Sequence, residues 1–302
     1  MSENQDSMGL DSSTDLGNSA TATALKPQSA DQPQDYQEWY KRASVLHDSK
    51  RYEEAIASYN HALEIRPHDY WACYERANAL AAIQRYPEAV ASYDQALESK
   101  PNDYWAWYRR GNALRHTNCH EEAVANYDKA LELRSRDYWA WYQRGKALGE
   151  LGRLEEAVAS FDQALKERRD DYWAWYRRGE VLAKHNRYEE ALDSYDCALD
   201  LRPHDRWAWY RRGETWQRFG RYEKAIANYA EALDIEADFP EVHYAKATCH
   251  LLLGQIERAI EHLHAYISQA PEDYQERTRL DGTWDSIRHD LRFQALLHEI
   301  QA

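Results

Sequence analysis

The chain has 302 residues, a formal net charge of −14, four cysteines, and 23 tyrosines and 12 tryptophans against four phenylalanines. That acidity argues against general nucleic-acid or anionic-membrane binding, which needs net positive surface, and no apolar run approaches the roughly 18 residues of a membrane span. A core alone does not need so much Tyr and Trp; both join an apolar body to a polar tip and suit a surface that packs and recognises.

Residues 1–34 are mainly Ser, Thr, Asp, Gln and Ala. Over residues 1–35, Glu3, Asp6, Asp11, Asp15, Asp31 and Asp35 stand against Lys26, so −5 of the charge lies there and −9 in the rest. Such a segment cannot bury enough surface to offset its ordering entropy and is expected to be disordered. It shows no basic-then-apolar signal pattern, so cytoplasm is the expected location.

From Tyr36 onward the chain repeats every 34 residues. The echo reads Tyr70-Trp71-Ala72-Cys73-Tyr74, Tyr104-Trp105-Ala106-Trp107-Tyr108, Tyr138-Trp139-Ala140-Trp141-Tyr142, Tyr172-Trp173-Ala174-Trp175-Tyr176 and Arg206-Trp207-Ala208-Trp209-Tyr210. A fixed period of this length predicts an array of small helical units, each covering its neighbour's apolar face. Seven units follow: 36–69, 70–103, 104–137, 138–171, 172–205, 206–239 and 240–273.

Each unit carries two helical patterns. In the third, Ala106, Trp107, Gly111, Leu114 and Thr117 give helix A, and Ala123, Val124, Tyr127, Ala130 and Leu131 give helix B. Asp69, Asp103, Asp137, Asp171 and Asp205 stand where an aspartate caps helix A. Glu53-Glu54, Glu121-Glu122, Glu155-Glu156 and Glu189-Glu190 open helix B at its positive end, and Arg66, Lys100, Arg134, Arg168 and Arg202 close it at the negative end. Pro67, Pro101, Pro203 and Pro271 then stop it. Gly111, Gly145, Gly179 and Gly213 recur inside helix A, where glycine costs about 1 kcal/mol, which implies close interhelix packing.

Unit seven is degenerate, as a terminal repeat with one solvent-facing side should be. Residues 274–302 carry Trp284, Ile287, Leu291, Phe293, Leu296, Leu297 and Ile300, which suit capping helices. Cys73, Cys119, Cys197 and Cys249 fall singly in different units and read as reduced thiols.

These residues resemble the tetratricopeptide repeat (TPR), bacterial type. Unit three supplies Trp107, Gly111, Leu114, Ala123, Tyr127 and Ala130 in the family's register, and unit six supplies Trp209, Gly213, Trp216, Ala225, Tyr229 and Ala232. One departure recurs: Arg110, Arg144, Arg178 and Arg212 occupy the usual leucine before the glycine. The resemblance implies an all-α, right-handed α-α superhelix (a TPR solenoid) with a C-terminal helical cap. It also implies that helix A lines a concave groove.

Carried onto this chain, position two of that groove is Trp71, Trp105, Trp139, Trp173 and Trp207. Position five is Tyr74, Tyr108, Tyr142, Tyr176 and Tyr210, and position six adds Arg109, Arg177 and Arg211. Aromatic walls edged by guanidinium groups suit an extended peptide. The position-two tryptophans fit either the groove or the seam between successive A helices, so position five is the expected open surface. Position nine places Asn78 and Asn112 where family members hold ligand backbone, followed by Lys146, Glu180 and Glu214. The family's clamp for chaperone C-termini also needs lysine at position five, where this chain has Tyr74 and Tyr142, so that clamp is incomplete.

The histidines occupy unrelated repeat positions, and the sequence has neither a phosphate loop nor metal-ligand spacing. The expectation is a non-catalytic scaffold or adaptor, without cofactor or metal, that holds a protein or peptide segment. Alternatives are a glycan or single-stranded RNA on the Trp/Tyr ladder, or self-assembly into a homo-oligomer through the repeats.

Overall fold

A computed structural model describes residues 35–269 and 271–297. The expected disordered segment 1–34 and Ile300 lie outside them. The helices alternate A and B through seven hairpins. These are α1 (Tyr36–Asp48) with α2 (Tyr52–Ile65), α3 (Tyr70–Ala82) with α4 (Tyr86–Ser99), α5 (Tyr104–His116) with α6 (His120–Leu133), and α7 (Tyr138–Glu150) with α8 (Leu154–Glu167). Then follow α9 (Tyr172–Lys184) with α10 (Tyr188–Leu201), α11 (Arg206–Arg218) with α12 (Tyr222–Ile235), and α13 (Pro240–Leu252) with α14 (Ile256–Gln269). Each A helix packs on its own B helix, and each B helix packs on the next A helix, so contacts stay local. The described residues contain no strand.

The expected caps form. Asp35, Asp69, Asp103, Asp137, Asp171 and Asp205 each accept from the amide three residues on, at 2.8–3.0 Å. The turn between A and B needs one left-handed residue per unit: Lys50, Gln84, Asn118, Gly152, Asn186, Gly220 and Gly254 all have φ between 58° and 74°. They recur at the same 34-residue interval, although the residue type does not.

The close packing implied by the helix-A glycines is present. A Cβ on Gly111 would stand 2.8 Å from the Tyr127 ring, and one on Gly179 would stand 2.9 Å from Tyr195. Those rings are 0% and 1% exposed, so in units three to six the glycine makes room for the buried helix-B ring.

The arginine that replaces the family's leucine ties one unit to the next. Arg144 donates from Nε to Asp128 at 2.6 Å and from Nη1 to Ser160 at 2.7 Å, with its guanidinium 5.7 Å from the Trp141 ring centre. Arg110, Arg178 and Arg212 repeat the same reach, sixteen residues back to Asp94, Asp162 and Asp196. Beneath them the indoles of Trp107, Trp141, Trp175 and Trp209 donate to the carbonyl six residues back at 2.7–2.9 Å.

The cap begins at Pro271, which opens α15 (Pro271–Leu280), instead of at 274. A 3-10 turn (Gly282–Ile287) and α16 (Leu291–Leu296) follow. Trp284 is fully buried; its indole donates to the Tyr244 hydroxyl at 3.2 Å, and its ring packs on Phe293. Unit seven is thereby closed by a small core of its own.

Candidate binding groove

The A helices place the predicted residues on one face, but the exposure is the reverse of the expected order. The position-two indoles Trp71, Trp105, Trp139, Trp173 and Trp207 are 40–54% exposed, whereas Tyr74, Tyr142 and Tyr176 are only 6–8% exposed. Tyr108 and Tyr210 are half-buried. The reason is local. Each position-five ring packs on the helix-B aromatic of its own unit, such as Tyr142 on Phe161 at 5.8 Å and Tyr176 on Tyr195 at 5.9 Å.

The phenol tips are engaged as well. Arg109 donates from Nε to the Tyr74 hydroxyl at 3.0 Å. Arg177 approaches the Tyr142 hydroxyl and Arg211 the Tyr176 hydroxyl, each from the next unit, without a bond from Nε. Burial raises the pKa of all three tyrosines, so they stay neutral donors and acceptors.

Each exposed tryptophan rests in a fixed frame. Trp105 meets Tyr104 edge-on at 5.0 Å and Tyr108 at 6.2 Å. The Arg134 guanidinium, from the end of the B helix, lies 4.4 Å from the Tyr104 ring and 5.5 Å from Trp105. Lys100 at Trp71, Arg168 at Trp139 and Arg202 at Trp173 repeat this frame. In unit six Arg206 and Phe239 take the flanking positions around Trp207. Rings held from one side by aromatics and a cation present a pre-set apolar surface on the other.

Position nine is built into the packing. Asn78 and Asn112 accept at Oδ1 from the buried hydroxyls of Tyr93 and Tyr127, at 2.7 and 2.9 Å, and the Asn78 amide also donates to Glu75 at 3.0 Å. Lys146 has its Nζ 5.8 Å from the Tyr142 ring centre. Burial, followed by Arg115 and Arg177, pushes its pKa down to about 8. Glu180 accepts from Arg177 at 2.6 Å, and Glu214 accepts from Arg211 at 2.6 Å.

Three hollows run along this face and share walls. One, of about 280 Å³, includes Lys146, Arg177, Glu180 and Lys184 in its lining. The second, of about 190 Å³, shares Glu180 and Lys184 and extends to Glu214 and Arg218. The third, of about 700 Å³, shares Glu214 and is closed by Tyr244, Tyr266, Tyr274 and Asp281 at the cap. Tyr266, Tyr274 and Asp281 had no sequence signal as site residues because they fall outside the repeat's groove positions, whereas Tyr244, 34 residues after Tyr210, stands at position five of unit seven and was within reach of the same register. Arg115 and His116, three and four residues after Asn112, and Lys184, four after Glu180, continue the same helix face and were recognisable from the helical period.

Hairpins of constant length, stacked in register with one exposed aromatic stripe, define an α-α solenoid of the repeat-protein class. Family models described as tetratricopeptide repeat match residues 19–70, 142–206 and 191–238, and, for a second model, 46–114 and 217–280. A TPR repeat model matches 111–152. The chain belongs to the tetratricopeptide-repeat family.

Among solved structures, YrrB, described as a TPR protein with an unusual peptide-binding site, is 26% identical with a TM-score of 0.56, covering 62% of this chain and 97% of its own. MamA from Desulfovibrio magneticus RS-1 is 25% identical with a TM-score of 0.53, covering 59% of this chain and 97% of its own. The C-terminal part of a TPR repeat-containing protein from Cytophaga hutchinsonii is 16% identical with a TM-score of 0.69, covering 80% of this chain and 99% of its own; it shares the fold. No curated protein sequence matches the chain.

Proposed function

We propose that the protein is a non-catalytic scaffold that holds an extended segment of a partner protein along its A-helix face. The position-two tryptophans make the contact, and the position-five tyrosines with the position-six arginines brace them from beneath. The observation that carries this reading is the stripe of five indoles, Trp71 to Trp207, 40–54% exposed at a constant interval while Tyr74, Tyr142 and Tyr176 beside them are buried. Indoles on a rigid frame lose little entropy on contact, and Trp and Arg are the side chains that most often dominate recognition. The likeness to YrrB, with its peptide-binding site, supports the same reading.

The non-catalytic part is supported by three thiols whose burial disfavours the thiolate. Burial pushes Cys249 up to about 12 and also raises Cys73 and Cys197. Free cysteines in the described units suit a reducing compartment such as the cytoplasm.

The test is site-specific photo-crosslinking in the native lysate. A photoreactive phenylalanine analogue replaces Trp139 in one protein and Lys166, on the opposite helix, in another. A discrete adduct from the Trp139 position alone is expected; adducts only from the Lys166 position would contradict the reading.

A further inference from the structure

The middle of the groove gathers positive charge in a chain whose net charge is −14. The 280 Å³ hollow between α5, α7 and α9 is bordered by Arg115, Lys146, Arg177 and Lys184, against Glu150 and Glu180 alone. Glu180 is already shared: Arg177 donates to it at 2.6 Å, and Arg211 lies 3.7 Å away. Among the described residues, Arg115, Lys146 and Lys184 have no acidic partner within 4.0 Å. The Nε atoms of Arg115 and Arg177 are buried without a hydrogen-bond partner.

Arg115, Lys146 and Arg177 are half-buried like charges that repel, and the desolvation of Lys146 adds to that cost. A carboxylate between them would accept charge-assisted hydrogen bonds and offset both terms. Glu150 and Glu180 in the same wall disfavour a dianion, so a singly charged group fits better than a phosphate. Trp139 opens the helix that carries Lys146, and Trp173 opens the helix that carries Arg177 and Lys184, so the anion and the indoles are presented by the same two A helices.

We infer that Arg115, Lys146, Arg177 and Lys184 form a subsite for the carboxylate of an aspartate or glutamate side chain within the held segment, an inference that rests on the proposed groove reading.

The experiment is fluorescence anisotropy on the full chain, with a labelled octapeptide of alternating proline and glutamate and its proline–glutamine counterpart. The glutamate peptide should bind at least about tenfold more tightly, the scale of a charge-assisted pair. Lys146→Met should abolish that preference, and Lys146→Arg should keep it.

The pH profile separates charge from packing. The charged and titratable groups facing Lys146 are Arg115 and His116 from α5, Tyr142 and Glu150 from α7, and Arg177, Glu180 and Lys184 from α9, while Phe161 of α8 adds no charge. His116 is pushed down and Tyr142 up, so both stay neutral in the window. The wild-type preference should therefore fall as pH rises through about 8, and the Lys146→Arg preference should stay flat.

Equal binding of the two peptides, binding of neither, or a preference for a phosphoserine peptide over the glutamate one would each overturn the subsite. The groove reading fails separately: a glutamate preference that depends on Lys146 but is unchanged in Trp139→Ala/Trp173→Ala keeps the anion site and contradicts the tryptophan stripe.

Discussion

Arg178 reaches back across a unit boundary to Asp162, with Nε 2.7 Å from Oδ1, and holds Ser194 of its own unit at 2.6 Å. The arginine side chain is 15% exposed and the aspartate 43%. One side chain thus joins two B helices through the A helix between them. Arg178→Ala should lower stability by about 2 kcal/mol, the scale of a hydrogen bond to a charged group plus its cation–π contact with Trp175. Arg178→Leu, which restores the family's apolar residue, should recover most of that loss because Asp162 can turn to water. Urea unfolding of the two variants checks the order.

Gly179→Ala sets two effects against each other. Helix propensity alone favours alanine by about 1 kcal/mol. The new Cβ, however, would lie 2.9 Å from a fully buried Tyr195 ring, and overpacking of this kind costs about 1–3 kcal/mol. A lower melting temperature is expected. A higher one would mean that the ring yields freely.

At the A–B turn, Gln84 holds φ 63° where three other units have glycine. A left-handed non-glycine residue costs about 1–2 kcal/mol, partly cancelled by glycine's larger unfolded-state entropy. Gln84→Gly should therefore stabilise by about 0.5 kcal/mol, whereas Gly152→Gln should destabilise. Denaturation midpoints of the pair check the sign.

Acid should loosen unit seven. His262 lies 5.3 Å from His250 and 5.8 Å from His243, ring centre to ring centre. Burial first, then Lys246, His250, His243 and Arg258, pushes its pKa from 6.5 to about 4. The folded pKa lies below the unfolded one, so the unfolded chain binds more protons between those values. Stability is full above about pH 6.5 and is lost as pH falls toward 4. His262→Phe should flatten the decline, read as melting temperature against pH.

The array was legible because its causes are periodic: capping aspartates, glycines opposite the helix-B rings, and the 34-residue echo itself. The inter-unit role of Arg178 was available in principle, since Asp94, Asp128, Asp162 and Asp196 recur sixteen residues before each such arginine. The division of labour between Trp139 and Tyr142 was not. Both are amphipathic aromatics one turn apart, and only the packing of Tyr142 against Phe161 and its approach to Arg177 decides which is covered. The cap was foreseen from its apolar spacing, and Tyr244 follows Tyr210 in the repeat's register, but the hollow also depends on Tyr266 and Tyr274 packing against it, which no repeat predicts.

The most direct test of the central claim is a quantitative pull-down from the native lysate with three proteins of matched thermal stability: wild type, Trp105→Ala/Trp139→Ala/Trp173→Ala, and a control altered on the B helices at Lys129, Lys166 and Asp193. Partners captured by the wild type and the control but lost from the tryptophan variant are the predicted result. Partners retained by the tryptophan variant and lost from the control would place recognition on the B-helix side and contradict the account.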